Sequence, residues 1–271
     1  MTLKTPTARV LAGHSGPVFT LGWSVDGRRL ASGSKDEGIR IWNPERADYG
    51  KASAELKGHT SRINQLRWDP THPERLASAG EDGTLRFWDI RLLRLCERKK
   101  LGEHVEYSKS LNASEGQKDQ INEVAFSHSV VTYEFKLEDG AVRLNQFNRC
   151  EAHACIINCI DIDPRGRYIA VGGADSIVSL IDLEDFYCVN TFAHLDSDVR
   201  TISFSYDGDF VAIAGKDFFI DISSVSTGQQ VKKIDSLTYP VNTLAWHPSK
   251  YFLAYAGDEK AGNVRVVNLI E

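Results

Sequence analysis

Four side chains with metal-binding chemistry fall within ten residues: Cys150, His153, Cys155 and Cys159, at spacings of three, two and four. A thiolate and imidazole set of this kind is what a zinc ion takes, but structural zinc sites are built from paired C-x-x-C units, which this cluster lacks. His153 also belongs to a recurring Gly/Ala-His dipeptide, which gives it a structural place. The reading is therefore no metal and no cofactor. A second group is basic: Arg91, Arg94, Arg98, Lys99 and Lys100 put five cations in ten residues, a weak candidate contact for RNA or an acidic partner. Leu92, Leu93 and Leu95 are interleaved with them, so an outer strand with a solvated face is the plainer reading. No phosphate-binding G-x-x-x-x-G-K-[ST] loop, G-x-S-x-G nucleophile elbow or H-E-x-x-H metal helix occurs, and no catalytic residue is assigned. The acceptor pattern Asn112-Ala113-Ser114 is expected to stay unglycosylated.

The elements that carry these residues repeat. A six-residue segment recurs as VFTLGW at 18–23, INQLRW at 63–68, INEVAF at 121–126, INCIDI at 157–162, VRTISF at 199–204 and VNTLAW at 241–246. These copies start 45, 58, 36, 42 and 42 residues apart, so joints of variable length connect a constant unit. Each copy continues through a polar turn, a run of small residues (LASGS, LASAG, IAVGG, VAIAG), an Asp and an alternating run (IRIW, LRFW, VSLI). Asp26-Gly27, Arg165-Gly166 and Asp207-Gly208 are hairpin turns, since Gly accepts the positive φ such turns need. A fourth strand precedes each His, as at 52–56 and 188–192. Four short antiparallel strands in a period near 42 residues are the blade of a β-propeller. Ile63, Leu66 and Trp68 step by three and then two, which predicts a bulge near Asn64 and Gln65.

The units resemble WD40 repeats, running from Gly13-His14 to Ile41-Trp42 and from Gly58-His59 to Trp88-Asp89, with weaker openings at Ala152-His153 and Ala193-His194. The resemblance implies an all-β propeller spanning 1–271 as one domain, with six copies readable. It also implies a hydrogen-bonded set of His, inner-strand hydroxyl, Asp and Trp. His14, Thr20, Asp36 and Trp42 fit that set, and His59, Asp82 and Trp88 fit it with Gln65 at the hydroxyl position. Asp139, Asp175 and Asp217 keep the Asp in later copies. Propellers of this family more often have seven blades. The irregular stretch at 90–120 is where a further one is expected, if residues are missing from the chain near 95–120. The second inner-strand position is Asn64, Asn122, Asn158, Arg200 and Asn242, with Phe19 the exception. A closed wheel brings these to one level, giving two readings: a polar ring for a bound peptide, or amides that each cap their own bulge. On the first, replacing Asn158 and Asn242 by Ala weakens a partner without lowering the melting temperature.

Within the repeat class, residues 172–231 resemble the third-subunit family of the THO complex. The resemblance rests on Gly172-Gly173-Ala174-Asp175, Val178-Ser179-Leu180, the run VRTISFS at 199–205, and Phe219-Ile220-Asp221-Ile222, with Ile222-Ser223 where Trp-Asp is usual. It extends to 241–248 and to the first two repeats and fades across 90–150. It implies a non-catalytic nuclear scaffold of the THO/TREX assembly, acting in messenger RNP assembly and mRNA export. Its partners would be the other subunits, chiefly the large helical one, with no small-molecule substrate. The competing readings are another WD40 scaffold, such as a ubiquitin-ligase receptor or histone-binding propeller, and a propeller hydrolase.

Composition agrees with a packed domain that makes protein contacts. Of 271 residues, 42% are apolar and 25% charged, enough to bury a sizeable core. Lys plus Arg number 32 against 37 Asp plus Glu, a net charge of −5, so any RNA contact is expected to be indirect or weak. No 18-residue apolar run is present, and the opening MTLKTPTARVL reads as neither signal nor membrane segment, so an intracellular protein with reduced cysteines is expected.

Overall fold

A computed structural model describes residues 8–46, 50–52, 54–91, 94–100, 130–138, 141–150, 153, 155–235 and 237–269. Its strands form consecutive antiparallel meanders, and no helix occurs among the described residues. After β1 (Arg9–Leu11), the first sheet is β2 (Val18–Trp23), β3 (Leu30–Ser34), β4 (Ile39–Trp42) and β5 (Ala54–Leu56). The second is β6 (Ile63–Trp68), β7 (Arg75–Gly80), β8 (Thr84–Asp89) and β9 (Arg94–Lys100). A two-stranded pair follows, β10 (Val130–Glu138) with β11 (Ala141–Cys150). Two more four-stranded sheets come next: β12 (Ile157–Ile162), β13 (Tyr168–Gly173), β14 (Val178–Asp182) and β15 (Cys188–Phe192), then β16 (Val199–Phe204), β17 (Phe210–Gly215), β18 (Ile220–Ser224) and β19 (Gln230–Ile234). The last holds β20 (Val241–Trp246), β21 (Phe252–Gly257) and β22 (Val264–Asn268), with β1 as its fourth strand, so the two ends of the chain share one sheet.

The architecture is the expected propeller of four-stranded blades, five of them complete among the described residues. The copy INEVAF at 121–126, with Asn122, the acceptor site at 112–114 and Asp139, lies outside those residues, as does the seventh-blade expectation where it falls on 101–129. The chain itself is continuous from 1 to 271. The stretch just after Trp88 is regular: Arg94, Arg98, Lys99 and Lys100 lie on β9, the outer strand of its blade.

Sequence dictates each blade in the same way. Gly27, Gly166 and Gly208 have φ of 69°, 69° and 67°, and each amide donates to the carbonyl three residues back, closing the turn between first and second strands. The register of every complete blade slips at the second residue of its inner strand, namely Phe19, Asn64, Asn158, Arg200 and Asn242, so the expected bulge is a property of all five. The bulge resets the pleat so that residues four and six, such as Leu21 and Trp23, face the neighbouring blade.

Four of the five core clusters draw on two adjacent blades. One joins Leu21, Trp23, Leu30 and Trp42 to Ala245, Ala254 and Val264. Another joins Ile220 and Ile222 to Leu244, Trp246 and Leu253. The small-residue runs of the second strands explain how blades come so close. A Cβ on Gly33 would stand 2.7 Å from Ile63 Cγ2, and one on Gly172 2.7 Å from Val199 Cγ1, both at the first residue of the next inner strand. Replacing Gly172 by Val is therefore expected to overpack this joint and cost about 1–3 kcal/mol, read as a lower urea midpoint with an unchanged slope.

Candidate functional site

Three polar arrangements are built on this frame: a His and Asp hub at one end of four blades, a ring of side chains on the inner strands, and a His, Cys and Asp cluster beside β13.

In the first blade the loop before β2 carries His14 and the turn between β3 and β4 carries Asp36. His14 Nδ1 lies 2.9 Å from Asp36 Oδ2 and its Nε2 2.7 Å from Ser32 Oγ, and Trp42 Nε1 donates to the same Ser32 Oγ at 2.8 Å. The second blade repeats this with His59, Asp82, Ser78 and Trp88 at 2.9, 2.7 and 2.9 Å. The indole only donates, so the arrangement satisfying every member runs Trp N–H to Ser oxygen, Ser O–H to His Nε2, and His Nδ1–H to carboxylate. Here the sequence expectation needs correcting. The hub hydroxyls are Ser32 and Ser78, on the second strands, and not Thr20 or the Gln65 position. Thr20 instead accepts Leu66 N at 3.1 Å and donates to Gln65 Oε1 at 2.9 Å, joining two blades. The shared Leu-Ala-Ser of LASGS and LASAG was the available signal for the serines.

These carboxylates are held as anions. Burial alone would raise the Asp36 pKa, but hydrogen bonds from the His14 ring and from the Ser15 and Gly38 amides outweigh it and hold the carboxyl well below the ordinary range. Burial opposes the same shift at Asp82, where Thr84, His59 and the Thr60 amide prevail. Arg86 Nη2 adds an ion pair to Asp82 at 3.3 Å, with both side chains buried.

Later hubs lose members. In the β12–β15 blade Val171 stands at the serine position and Ile181 pairs with Ile169 where Trp42 pairs with Leu30. His153 keeps Asp175 at 2.9 Å through Nδ1, and its Nε2 faces the Val171 carbonyl at 3.0 Å. In the next blade His194 turns to Asp221 on β18 at 3.2 Å, and Asp217 accepts the Asp196 and Ser197 amides.

On the inner strands the second-position side chains tie blades together. Asn158 Nδ2 donates to Val199 O at 2.9 Å and Asn242 Nδ2 to Val18 O at 3.3 Å, each the first residue of the next inner strand. Arg200 reaches Asn242 Oδ1 at 2.6 Å and Asp258 Oδ2 at 2.9 Å. Neither amide caps its own bulge. Because both serve blade joints, the expectation that their loss leaves stability untouched does not follow from this geometry: each bond is worth about 0.5–1.5 kcal/mol.

Of the cysteine group, His153 and Cys155 come together with Asp175, their ligand atoms all within 4.8 Å of one another. Cys159 is elsewhere, packed against Gly172 and the neighbouring blade's Val199 and Ile202. Asp175 was legible as a hub residue but not as a neighbour of the thiol, because the turn that joins them closes only in the fold. Arg91, at the head of the basic stretch, forms an ion pair with Asp89 at 2.5 Å.

Residues 6–43, 50–89, 144–182 and 186–222 match the family "WD domain, G-beta repeat". THO complex subunit 3 of Arabidopsis thaliana is 36% identical over 289 aligned positions, covering 95% of this chain and 91% of that protein. WD repeat-containing protein AAC3 of Dictyostelium discoideum is 26% identical over 300 positions, covering 90% and 62%. Among solved structures, the β-propeller domain of Cps50 (Swd1) from Myceliophteria thermophila aligns with a TM-score of 0.75 at 16% identity, over 97% of this chain and all of that one, a likeness of fold.

The hubs carry two measurable consequences. Ser78→Ala leaves the Trp88 N–H and His59 Nε2 buried without their shared partner, and is expected to cost about 1–3 kcal/mol in urea unfolding. Carboxylates with a depressed folded pKa stabilise the fold above their unfolded value and lose that contribution as pH falls through the folded one. Stability is therefore expected to decline below ~pH 4, and a double Asp36→Asn, Asp82→Asn variant should show a shallower acid limb in urea midpoints measured across that range.

Proposed function

The chain belongs to the WD40-repeat family and stands with the third subunits of the THO complex, and from this premise we propose that it serves as a non-catalytic scaffold subunit of that complex in the nucleus. Its work is transcription-coupled messenger RNP assembly and mRNA export, performed through protein contact. The observation that carries this reading is the 36% identity over an alignment covering 95% of the chain. The whole chain, 1–271, acts as one propeller domain.

The chemistry of the polar residues supports a scaffold over an enzyme. The conspicuous histidines and aspartates, His14 with Asp36 and His59 with Asp82, are engaged with one another and with structural hydroxyls. The inner ring of Asn64, Asn158, Arg200 and Asn242, with Asn122 in the same sequence position, offers hydrogen-bonding groups to a peptide and no nucleophile. The partners are the other THO subunits, chiefly the large helical one. With 32 cations against 37 carboxylates, RNA contact is indirect or weak.

Affinity purification of the tagged chain from nuclear extract is the decisive measurement. It is expected to recover THO subunits at stoichiometric levels. Recovery of cullin adaptors or histones in their place would replace this reading with one of the other WD40 scaffold roles.

A further inference from the structure

We propose that His153, Cys155 and Asp175 form a binding site for one thiophilic divalent cation of the zinc type, whichever complex the chain enters. The three ligand atoms do more than lie near one another. A Cβ built on Gly173 would stand 2.5 Å from Asp175 Oδ1, 2.8 Å from His153 Nδ1 and 3.1 Å from Cys155 Sγ. A side chain at position 173 would crowd all three donors at once, and the glycine leaves them room to converge on an ion. Zinc bonds are about 2.0–2.2 Å to oxygen, 2.0–2.1 Å to nitrogen and 2.3 Å to sulfur, which sets the ligands of one tetrahedral ion about 3.3–3.7 Å apart, so donors within 4.8 Å of one another need close by only about an ångström.

The ring is held on both sides. His153 Nε2 faces the Val171 carbonyl at 3.0 Å and Nδ1 faces the Asp175 carboxylate at 2.9 Å, where a metal ion can take the place of a proton. A backbone carbonyl fixing the far nitrogen is also the usual support of a metal-bound histidine. The Cys155 thiol donates to the Ile156 carbonyl at 3.6 Å, and metal binding would release its proton. The Asp175 side chain is 27% exposed, which leaves access for a water as fourth ligand.

Among the described residues, no other blade assembles this set. In the first, Ser34 puts its own Cβ where Gly173 leaves space, and Gly16 stands two residues after the histidine. In the second, Gly80 leaves the space, but Ser61 replaces the cysteine and bonds Glu81, and Arg86 supplies Asp82 with a fixed cation. In both, Nε2 faces a serine hydroxyl in place of a carbonyl. In the β16–β19 blade His194 has turned to Asp221.

The test is titration of the chelator-treated full chain with Zn2+ against a chromogenic chelator, and with Co2+ alone. The expected result is one metal per chain and, with cobalt, a thiolate-to-metal charge-transfer band in the near ultraviolet. Cys155→Ser should abolish that band and weaken zinc binding by more than the ~10-fold that losing a supporting partner costs. Gly173→Ser should weaken it with the three donors retained, and Cys188→Ser should leave it unchanged, both checked for folding by circular dichroism. Failure to bind stoichiometric zinc, or zinc affinity and a cobalt band that survive in Cys155→Ser, would overturn the proposal.

Discussion

The innermost strand of each blade has a partner on one side only, and the amides of its free edge must find acceptors without a fifth strand. The wheel follows from that constraint. In three blades the third inner-strand residue is Thr, and its hydroxyl accepts the amide of the fourth residue in the next inner strand: Leu66 N on Thr20, Leu244 N on Thr201 and Leu21 N on Thr243, at 3.1, 3.1 and 3.2 Å. In the same direction, Trp23 and Trp68 donate their indole N–H to the fifth-residue carbonyls of Ala245 and Gly22. An edge strand left bare is a liability for association. Here the edges of β2, β6 and β20 are answered by a neighbour, and the answer fixes where that neighbour must stand.

Once the joints are set by inner strands, the hubs at the blade ends are relieved of holding the wheel together and can diverge. The first two blades keep the full chain of indole, hydroxyl, imidazole and carboxylate, in which every donor has one acceptor. Exchange of the hydroxyl for Val171 does not empty the third hub, since the imidazole takes the Val171 carbonyl. It does change what Nε2 faces, from a hydroxyl that can donate or accept to a carbonyl that only accepts. A change from Ser to Val on a second strand thus alters the bonding of a histidine that is itself unchanged.

Much of this was readable in the sequence because periodicity reports packing. The sixth-position Trp and Phe, the small-residue runs and the Asp-Gly turns each place themselves in one blade position, and the fold follows. The hub hydroxyl was misplaced for a physical reason. Thr20 and Ser32 both lie within reach of His14 in sequence terms, and only the strand pairing, with the bulge at Phe19, decides which oxygen faces the ring. The joint-forming role of Asn158 and Asn242 was hidden likewise, because their acceptors are about 41 and 224 residues away along the chain. The cluster around Gly173 required knowing that a turn carboxylate and a loop thiol share the space above a residue that has no side chain.

The order in which blades touch bears on how such a chain tolerates change. Inner strands pack in the sequence β6, β2, β20, β16, β12, and β1 completes the blade of β20–β22, so both termini are secured in the middle of that run. Contacts in a repeat array are made to nearest neighbours, and stability is close to a sum over units and joints. The longest interval between copies, 58 residues between the second and third, follows β6 in the chain. The alignment with the Arabidopsis relative spans 289 positions, more than the 271 residues of this chain, so that relative carries residues inside the aligned region that this chain does without. The joints that run from β6 through β2, β20 and β16 to β12 are each made between two described inner strands, so a difference in length elsewhere in the chain leaves the bonds that set those strands against one another in place.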